Sequence, residues 1–161
     1  RSCEAVIVDT RHNGGGWLHD DLATLLDGEG YIRFEPRGQY IGTEPYNKWT
    51  KPSCVLIGED NYSDACGFPY VYKTLGIGKL IGAPVPGTMT AVWWENQIDP
   101  SIVFGIPQVG ALGVKEGRYL ENMQIEPDIL VYNDPASVLR GEDRQLEAAV
   151  KEMLKTIDSN K

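Results

Sequence analysis

The sequence predicts an α/β fold, or α+β in its strand-rich second half, with a mixed, partly parallel sheet and flanking helices. Apolar runs at 5–8 and 53–58 show no polar alternation, which is typical of strands buried on both faces of a parallel sheet. Each run is followed by a turn and a helix-forming segment, at 17–26 and 68–75. A third short strand at 79–82 completes two successive β-α-β units. Such units have parallel strands and right-handed crossovers.

In the first half of the chain, local residue patterns predict where each helix, strand and loop lies. The first helix is predicted to end at 27–30, where acidic residues alternate with glycine. Residues 31–34 predict a strand, and 35–51 predict a long surface loop that could line a substrate groove. Gly76 suits the C-terminal cap of the second helix. The apolar face of the first helix comprises Leu18, Leu22, Leu25 and Leu26.

The second half predicts shorter strands and one long helix. Strands at 89–95 and 102–106 flank a turn at 96–100, and a further strand is expected at 108–112. A last strand is expected within 125–131. The final helix is predicted over 143–157, with Asp143 as its N-cap and Gly141 as the alternative. Its apolar stripe comprises Leu146, Ala149, Val150, Met153, Leu154 and Ile157.

Length and composition exclude several classes of protein. A chain of 161 residues can form one domain with a sizeable core. The net charge of −8, without a cluster of basic residues, argues against a nucleic-acid partner. No apolar run approaches the roughly 18 residues of a membrane span. Three cysteines do not make a disulfide framework, and two histidines are too few for a zinc site, so we expect neither metal nor cofactor.

Ser63 lies in a polar turn between the second strand and its helix. A serine at a helix N-terminus sits among free backbone N–H groups that can stabilise a negative oxygen, so Ser63 is a candidate nucleophile. The alternative is that Ser63 only caps the helix. Cys66 is a rival nucleophile, whereas Cys3 and Cys54 are interpreted as free thiols in or near apolar strands.

The glycine run at 14–16 follows the first strand. It is neither a dinucleotide fingerprint nor a phosphate-binding loop, because both require spacings that are absent here. Three consecutive glycines allow a sharp turn with exposed N–H groups. The run is therefore either a tight strand-to-helix turn or an anion site such as an oxyanion hole.

Three segments together resemble a known family. Residues 9–16 match the signature D-x-R-x-N-G-G-G, and residues 82–88 resemble G-x-x-T-x-G with Val85 at the threonine. Residues 124–131 resemble G-x-x-P-D-x-x-V with Gln124 at the glycine. The chain thereby resembles the S41 serine peptidases, which include the tail-specific, or C-terminal processing, proteases. The resemblance implies a ClpP/crotonase-like catalytic domain over residues 1–161.

The resemblance favours the tricorn-like branch of that family. The tail-specific branch uses a Ser-Lys dyad whose lysine would directly follow Gly87. Thr88 stands there in this sequence, and Lys79 lies in the preceding strand. The tricorn-like branch combines a serine followed by aspartate, a histidine base and a late glutamate. The pair at 63–64 and the segment at 120–122 resemble these parts.

Site roles follow from that resemblance. Ser63 would attack the scissile carbonyl, and the backbone N–H groups of Gly16 and Asp64 would bind the oxyanion. Glu121 would orient the base through a second hydroxyl. The remaining substrate contacts would come from Gly14, Gly15, Phe34 and Glu35. Of these, Phe34 would select an apolar residue before the cut and Glu35 a basic one, and both possibilities stay open.

The histidine base has no obvious counterpart in the sequence. His12 occupies a variable position of the glycine signature, and His19 lies on the first helix. In the family the histidine lies far upstream, and the sequence opens on a strand without an initiator methionine. We therefore expect a C-terminal fragment of a longer, multidomain chain that supplies the base from elsewhere. The fragment by itself should be inactive.

The implied partners are peptides or unfolded proteins, and we expect a homo-oligomer. Free cysteines slightly favour the cytoplasm over the periplasm or export. Two other functions stay open: a catalytically inactive peptide-binding relative, and an interaction domain that uses the long loop and the pair Trp93-Trp94. Adjacent strand residues face opposite ways, so this pair predicts one core and one surface aromatic.

Overall fold

The computed structural model describes residues 2–159. In chain order its elements are β1 (Val6–Asp9), α1 (His19–Leu26), β2 (Ile32–Phe34), a 3₁₀ turn (Pro36–Gly38), β3 (Gly42–Glu44), β4 (Ser53–Ile57), α2 (Asp64–Leu75), β5 (Lys79–Gly82), β6 (Ala91–Asn96), β7 (Val103–Val109), β8 (Leu112–Gly113), β9 (Arg118–Tyr119), β10 (Ile129–Leu130), α3 (Pro135–Leu139) and α4 (Arg144–Ser159).

A parallel four-stranded sheet in the order β1-β4-β5-β10 forms the centre of the molecule. Every residue of β4 is buried. Alternate residues of β4 serve two cores, because successive strand side chains point to opposite faces. Val55 and Ile57 pack with Tyr72 of α2, and Cys54 and Leu56 pack with α4. The predicted α/β class with a partly parallel sheet and flanking helices is confirmed.

The first strand is less buried than the apolar run at 5–8 predicts. Among the described strands β1 pairs with β4 alone, so β1 is an edge strand of the parallel sheet. Val6, Ile7 and Val8 are half-buried, and Asp9 is exposed. Burial on both faces was therefore wrong for β1 and right for β4.

The first helix is shorter than predicted, and the loop after it is more structured. The helix starts at His19 rather than at residue 17, and only part of its apolar face is covered: Leu26 is buried, whereas Leu18 and Leu25 are exposed. The expected long loop contains β3, which pairs antiparallel with β2.

A two-stranded antiparallel arm follows β5. Strands β6 and β7 pair with each other, as predicted, and they belong to a sheet of their own. Trp93 and Trp94 are 58% and 59% exposed, so the expectation of one core and one surface aromatic was wrong. Most residues of both strands are exposed, so neither face of this arm is covered by another part of residues 2–159. The strand predicted at 108–112 is divided between the end of β7 and β8.

The C-terminal helix begins close to its predicted position. Asp143 accepts a hydrogen bond from the Leu146 N–H at 3.0 Å, which confirms it as the N-cap. Of the apolar stripe, Ala149 and Met153 are buried under the sheet, whereas Val150 is exposed. No sequence pattern predicted α3. No helix within residues 2–159 is long and apolar enough to span a membrane.

Candidate active site

Three loops at one edge of the parallel sheet contain most of the predicted site. They leave the carboxyl ends of β1, β4 and β5, where open α/β sheets commonly bind ligands. The pairing of Asp9 with Leu56, and of Ile57 with Gly82, sets the three strand ends at nearly the same level. The glycine run, the Ser63 turn and residues 83–90 therefore start from the same side of the molecule.

Ser63 has a strained backbone at the start of α2. Its φ of 55° and ψ of −121° place a non-glycine residue at positive φ, and such a conformation costs about 1–3 kcal/mol. The side chain makes no capping hydrogen bond to the helix. The alternative interpretation of Ser63 as an ordinary N-cap is therefore wrong. Backbone strain of this kind clusters at active sites.

The buried side chain of Asn61 stabilises this strained turn by three hydrogen bonds. The side chain is 1% exposed, and its Nδ2 donates to Thr10 Oγ1 at 3.0 Å and to the Ala65 carbonyl at 2.9 Å. Its Oδ1 accepts from the Gly58 N–H at 3.2 Å. One amide thereby joins the loop after β1, the end of β4 and the first turn of α2. Sequence reasoning missed Asn61, although a polar residue between a buried strand and a helix was a signal.

Gly15 packs directly against the serine turn. A Cβ on Gly15 would lie 2.7 Å from Ser63 Cβ and 2.8 Å from the Tyr62 carbonyl oxygen, and its φ is +101°. Asn13 fixes the approach, because its carbonyl accepts from the Tyr62 N–H at 3.1 Å and its Oδ1 from the Gly15 N–H at 2.7 Å. The glycine run and the serine turn thus form one unit.

Gly14 and Gly16 flank that contact in open surroundings. No heavy atom lies within 4 Å of a Cβ built on either glycine. Gly16 has a φ of +149°, which side-chain-bearing residues rarely adopt. The N–H of Asp64 has no acceptor within residues 2–159, as expected for the first residue of a helix.

The Asp64 carboxylate faces the start of α1. Its Oδ2 accepts from the backbone N–H groups of Leu18 at 2.7 Å and His19 at 3.2 Å. Its Oδ1 is bonded to His19 Nδ1. The helix pattern gave no sign that the Asp64 side chain would cap a different helix from its own.

Glu121 is held by the segment that follows β5. Its Oε2 accepts from the Met89 N–H at 2.9 Å, from the Thr90 N–H at 2.7 Å and from the Thr90 hydroxyl at 2.7 Å. Burial opposes the charge, but these hydrogen bonds outweigh it and hold the pKa of Glu121 below its ordinary value. The carboxylate is therefore ionised and fixed in orientation.

The same segment contacts Ser63. The hydroxyl oxygen of Thr88 accepts from the Ser63 N–H at 3.1 Å, two residues before the threonine that binds Glu121. Gly87 lies so close to the chain after Glu121 that a Cβ there would meet the Met123 N at 2.3 Å. Residues 87–90 thus bridge the two predicted catalytic residues.

Both histidines are paired with carboxylates. His12 is highly exposed, and its Nδ1 and backbone N–H bind Asp60. Burial raises the pKa of Asp60, but the hydrogen bonds from His12 outweigh it and the net shift is downward. His19 binds Asp64 through Nδ1. Neither imidazole is hydrogen-bonded to Ser63 within residues 2–159, and no cluster of three metal-ligating residues occurs there.

The other candidate residues differ in their accessibility. Cys66 is fully buried, with its Sγ bonded to the Asn61 carbonyl at 3.2 Å, so the rival nucleophile is shielded and that hypothesis is wrong. Burial and the charge of Glu152 raise the pKa of Cys54 to about 11. Phe34 is exposed on β2, and Glu35 pairs with Arg33, so their roles in specificity stay predictions.

The arginine of the glycine signature has a structural task. Arg11 is 11% exposed and binds both oxygens of Asp9 and both oxygens of Asp143, at 2.7–2.9 Å. It also donates to Gln145 Oε1 at 3.0 Å. The carboxylates raise the pKa of Arg11, and the guanidinium holds the pKa of Asp143 well below its usual range. Arg11 thereby fixes the signature loop to the start of α4.

A cavity of about 310 Å³ lies between α2 and residues 115–126. Its apolar lining includes Met89, Leu120, Met123 and Ile125, with Lys73 and Lys115 among its charged residues. Met89 also donates to Glu121, so the cavity adjoins the glutamate side of the site. No sequence pattern predicted it, because its walls come from separate segments.

The chain is similar to proteins of one peptidase family. The model of peptidase family S41 matches residues 1–131. The chain belongs to peptidase family S41. Tricorn protease of Thermoplasma acidophilum is 26% identical over 156 residues, which cover 97% of this chain and 15% of that protein. This S41 chain therefore spans about one seventh of the length of that relative.

Solved structures of two proteases share the fold of the S41 chain. The crystal structure of the tricorn protease superposes with a TM-score of 0.83 at 25% identity, over 96% of this chain and 15% of that one. A photosystem II D1 C-terminal processing protease shares the fold at a TM-score of 0.51 and 16% identity, over 80% of this chain and 35% of that one. The predicted family and its tricorn-like branch are confirmed.

Proposed function

We propose that this S41 domain carries the nucleophile, the oxyanion hole and the orienting carboxylate of a serine peptidase of the tricorn type. The observation that carries the proposal is the strained Ser63 turn, with Gly15 packed against it and residues 87–90 linking it to Glu121. A peptide-binding module that does not cut has no need of such strain. The substrates are peptides or unfolded proteins, and no cofactor takes part.

Ser63 Oγ attacks the carbonyl carbon of the scissile peptide, and its proton passes to a base. The resulting oxyanion accepts hydrogen bonds from the N–H groups of Asp64 and Gly16, and each such donor contributes about 2.7–4 kcal/mol in known cases. The carbon–nitrogen bond then breaks, and the leaving amine takes the proton from the base. Water releases the acyl group from Ser63 by the reverse sequence of transfers.

The base in this proposal is a histidine from outside residues 1–161. Its support is that neither His12 nor His19 is hydrogen-bonded to Ser63 in the part of the chain that the structure describes; both imidazoles contact Asp60 or Asp64 instead. The Thr90 hydroxyl donates to the ionised Glu121 carboxylate. Together the hydroxyl and the carboxylate would orient such an imidazole. The homo-oligomer implied by the family resemblance stays a prediction.

Labelling with a fluorophosphonate probe tests the proposal in the full-length protein. Wild type and Ser101→Ala, which removes an exposed hydroxyl on the β6–β7 turn, should label equally, and Ser63→Ala should not label. Labelling that persists in Ser63→Ala would contradict the proposal. A folded wild type that never labels would favour the inactive peptide-binding relative.

The external base is tested separately with the isolated chain of residues 1–161. We expect no peptide cleavage, because a serine without a base is a poor nucleophile. Cleavage that depends on Ser63 in this chain would assign the base to His12 or His19 and overturn that part of the proposal. Circular dichroism of the same sample establishes that the isolated chain is folded.

A further inference from the structure

We propose that the Asp64 carboxylate and the His19 imidazole form a clamp that fixes the two oxyanion donors relative to each other. The Asp64 side chain and His19 are then positioning residues of the reaction. This inference rests on the proposed function, because it concerns the same oxyanion hole. The side chains of Asp64 and His19 have no role in the chemical steps proposed above, and the clamp gives them one.

The clamp joins two segments that are 45 residues apart in the chain. Asp64 starts α2 directly after the nucleophile, and its two carboxylate oxygens take three hydrogen bonds from the start of α1. The donors are the N–H of Leu18, the N–H of His19 and the ring Nδ1 of His19. The carboxylate side chain is 12% exposed and the imidazole 27%, so water competes weakly for these bonds.

The negative charge of Asp64 strengthens the clamp in two ways. A carboxylate is stabilised at a helix N-terminus, and Asp64 lies at the N-terminus of both α1 and α2. Hydrogen bonds to an ionised acceptor are also roughly twice as strong as neutral ones. Asp64 therefore holds the start of α1 more firmly than a serine or asparagine cap would.

The position of Gly16 depends on this clamp. Gly16 has no heavy atom within 4 Å of its Cβ direction, so nothing packs on it from that side. Its segment is fixed at its two flanks, where Gly15 contacts Ser63 and where Leu18 binds Asp64. The backbone of Asp64 would supply one oxyanion donor, and its side chain would place the other. A displacement of about 1 Å at such a site can cost about 10²-fold in rate.

The first test uses Asp64→Asn in the full-length protein, with Asp20→Asn as the control. Asp20 is an exposed carboxylate in the same first turn of α1. Asp64→Asn keeps the backbone donor and the shape of the side chain. We expect its rate of fluorophosphonate labelling at Ser63 to fall about 10- to 10²-fold, with faster amide exchange over residues 14–18. Asp20→Asn should match wild type in both measurements.

The second test compares His19→Ala with His19→Asn. An asparagine amide can donate to Asp64 from nearly the position of Nδ1, so His19→Asn should recover much of the labelling rate that His19→Ala loses. A purely structural cap would lower the melting temperature without changing the labelling rate of the folded protein. That outcome, or wild-type labelling in Asp64→Asn, would overturn the clamp.

Different results would overturn the clamp and the proposed peptidase function. Equal loss of labelling in both His19 variants, with unchanged amide exchange, would make His19 the base and overturn both the clamp and the external histidine. If labelling never depends on Ser63, the proposed peptidase function fails. Amide exchange at 14–18 in Asp64→Asn still reports in that case whether the carboxylate holds the glycine run, and unchanged exchange overturns the clamp.

Discussion

The backbone N–H of Ser63 donates to the hydroxyl oxygen of Thr88 at 3.1 Å. Thr88 also lies 3.1 Å from Cys66 Sγ, so one hydroxyl serves the strained residue and the first turn of its helix. In this chain the residue after Gly87 therefore supports the backbone of Ser63, whereas a Ser-Lys dyad would have its base there.

Replacing Thr88 by valine should destabilise the fold. Valine keeps the shape but removes the acceptor of the Ser63 N–H, and a partly buried unsatisfied donor costs about 1–3 kcal/mol. Urea denaturation should show a loss of that size. Thr88→Ser keeps the hydroxyl, so it should lose clearly less. Equal losses in both variants would mean that the methyl group, and not the hydrogen bond, matters.

Gly15→Ala should be strongly destabilising. The new Cβ would meet Ser63 Cβ at 2.7 Å and a carbonyl oxygen at 2.8 Å, and the φ of +101° is itself unfavourable for alanine. We expect a loss of about 1–3 kcal/mol from the backbone conformation alone. Gly14→Ala is the control for stability, because its surroundings are open. Thermal unfolding of the two variants checks the difference.

Asn61→Ala should lower stability and slow the labelling of Ser63. The variant leaves the Gly58 N–H, the Thr10 hydroxyl and the Ala65 carbonyl without their shared partner. Each buried group left unpaired costs about 1–3 kcal/mol. The exposed Asn47→Ala is a matched control and should behave like wild type. A stable Asn61→Ala variant with normal labelling would show that the Ser63 turn does not depend on the hydrogen bonds of Asn61.

The bonds between Arg11 and Asp143 predict a dependence of stability on pH. Arg11 lowers the pKa of Asp143 below its ordinary value of 3.8, so the stabilisation is fully present above that value. It is lost as the pH falls from there through the lower pKa of the folded state. The difference in unfolding free energy between wild type and Asp143→Asn should therefore be largest at neutral pH and should shrink below pH 3.8.

Glu121→Gln should reduce kcat more than it changes KM. Glutamine keeps the length of the side chain but removes the charge that would stabilise an imidazolium, and we expect a loss of roughly 10²-fold or more. Because the pKa of Glu121 lies below 4.5, the wild-type profile should show no loss of activity from this group between pH 5 and pH 7. Steady-state kinetics of the full-length protein across that pH range test both statements. An unchanged kcat would remove Glu121 from the site.

Local patterns predicted most of the sheet and its helices. The apolar run of β4 and the glycine that ends α2 at a φ of 70° are properties of short windows, and the structure has them where expected. The edge position of β1 depends on which strands pair, and the start of α1 at His19 depends on the pairing of Leu18 and His19 with Asp64. Those pairings follow from the whole chain and are invisible in a window of ten residues.

The candidate site likewise contains residues that local patterns predicted and residues that they did not. Ser63 and the glycine run stand out because their turns need unusual residues. Asn61 and Thr88 look ordinary in the sequence, and nothing there links the side chain of Asp64 to the start of α1. Their importance comes from partners 22 to 51 residues away, which only the folded chain brings within hydrogen-bonding distance.

The level ends of β1, β4 and β5 have a consequence for engineering. The three site loops start within one residue of each other along the strand direction. The register of the strands therefore sets the positions of the loops relative to one another. Loop sequences from other family members could be exchanged here without moving the anchor points. A single-residue insertion inside β4 would instead offset the serine turn by about 3.3 Å and turn its side chains to the opposite face. A change of loop length between these strands therefore keeps the three anchor points level, whereas an insertion within β4 does not.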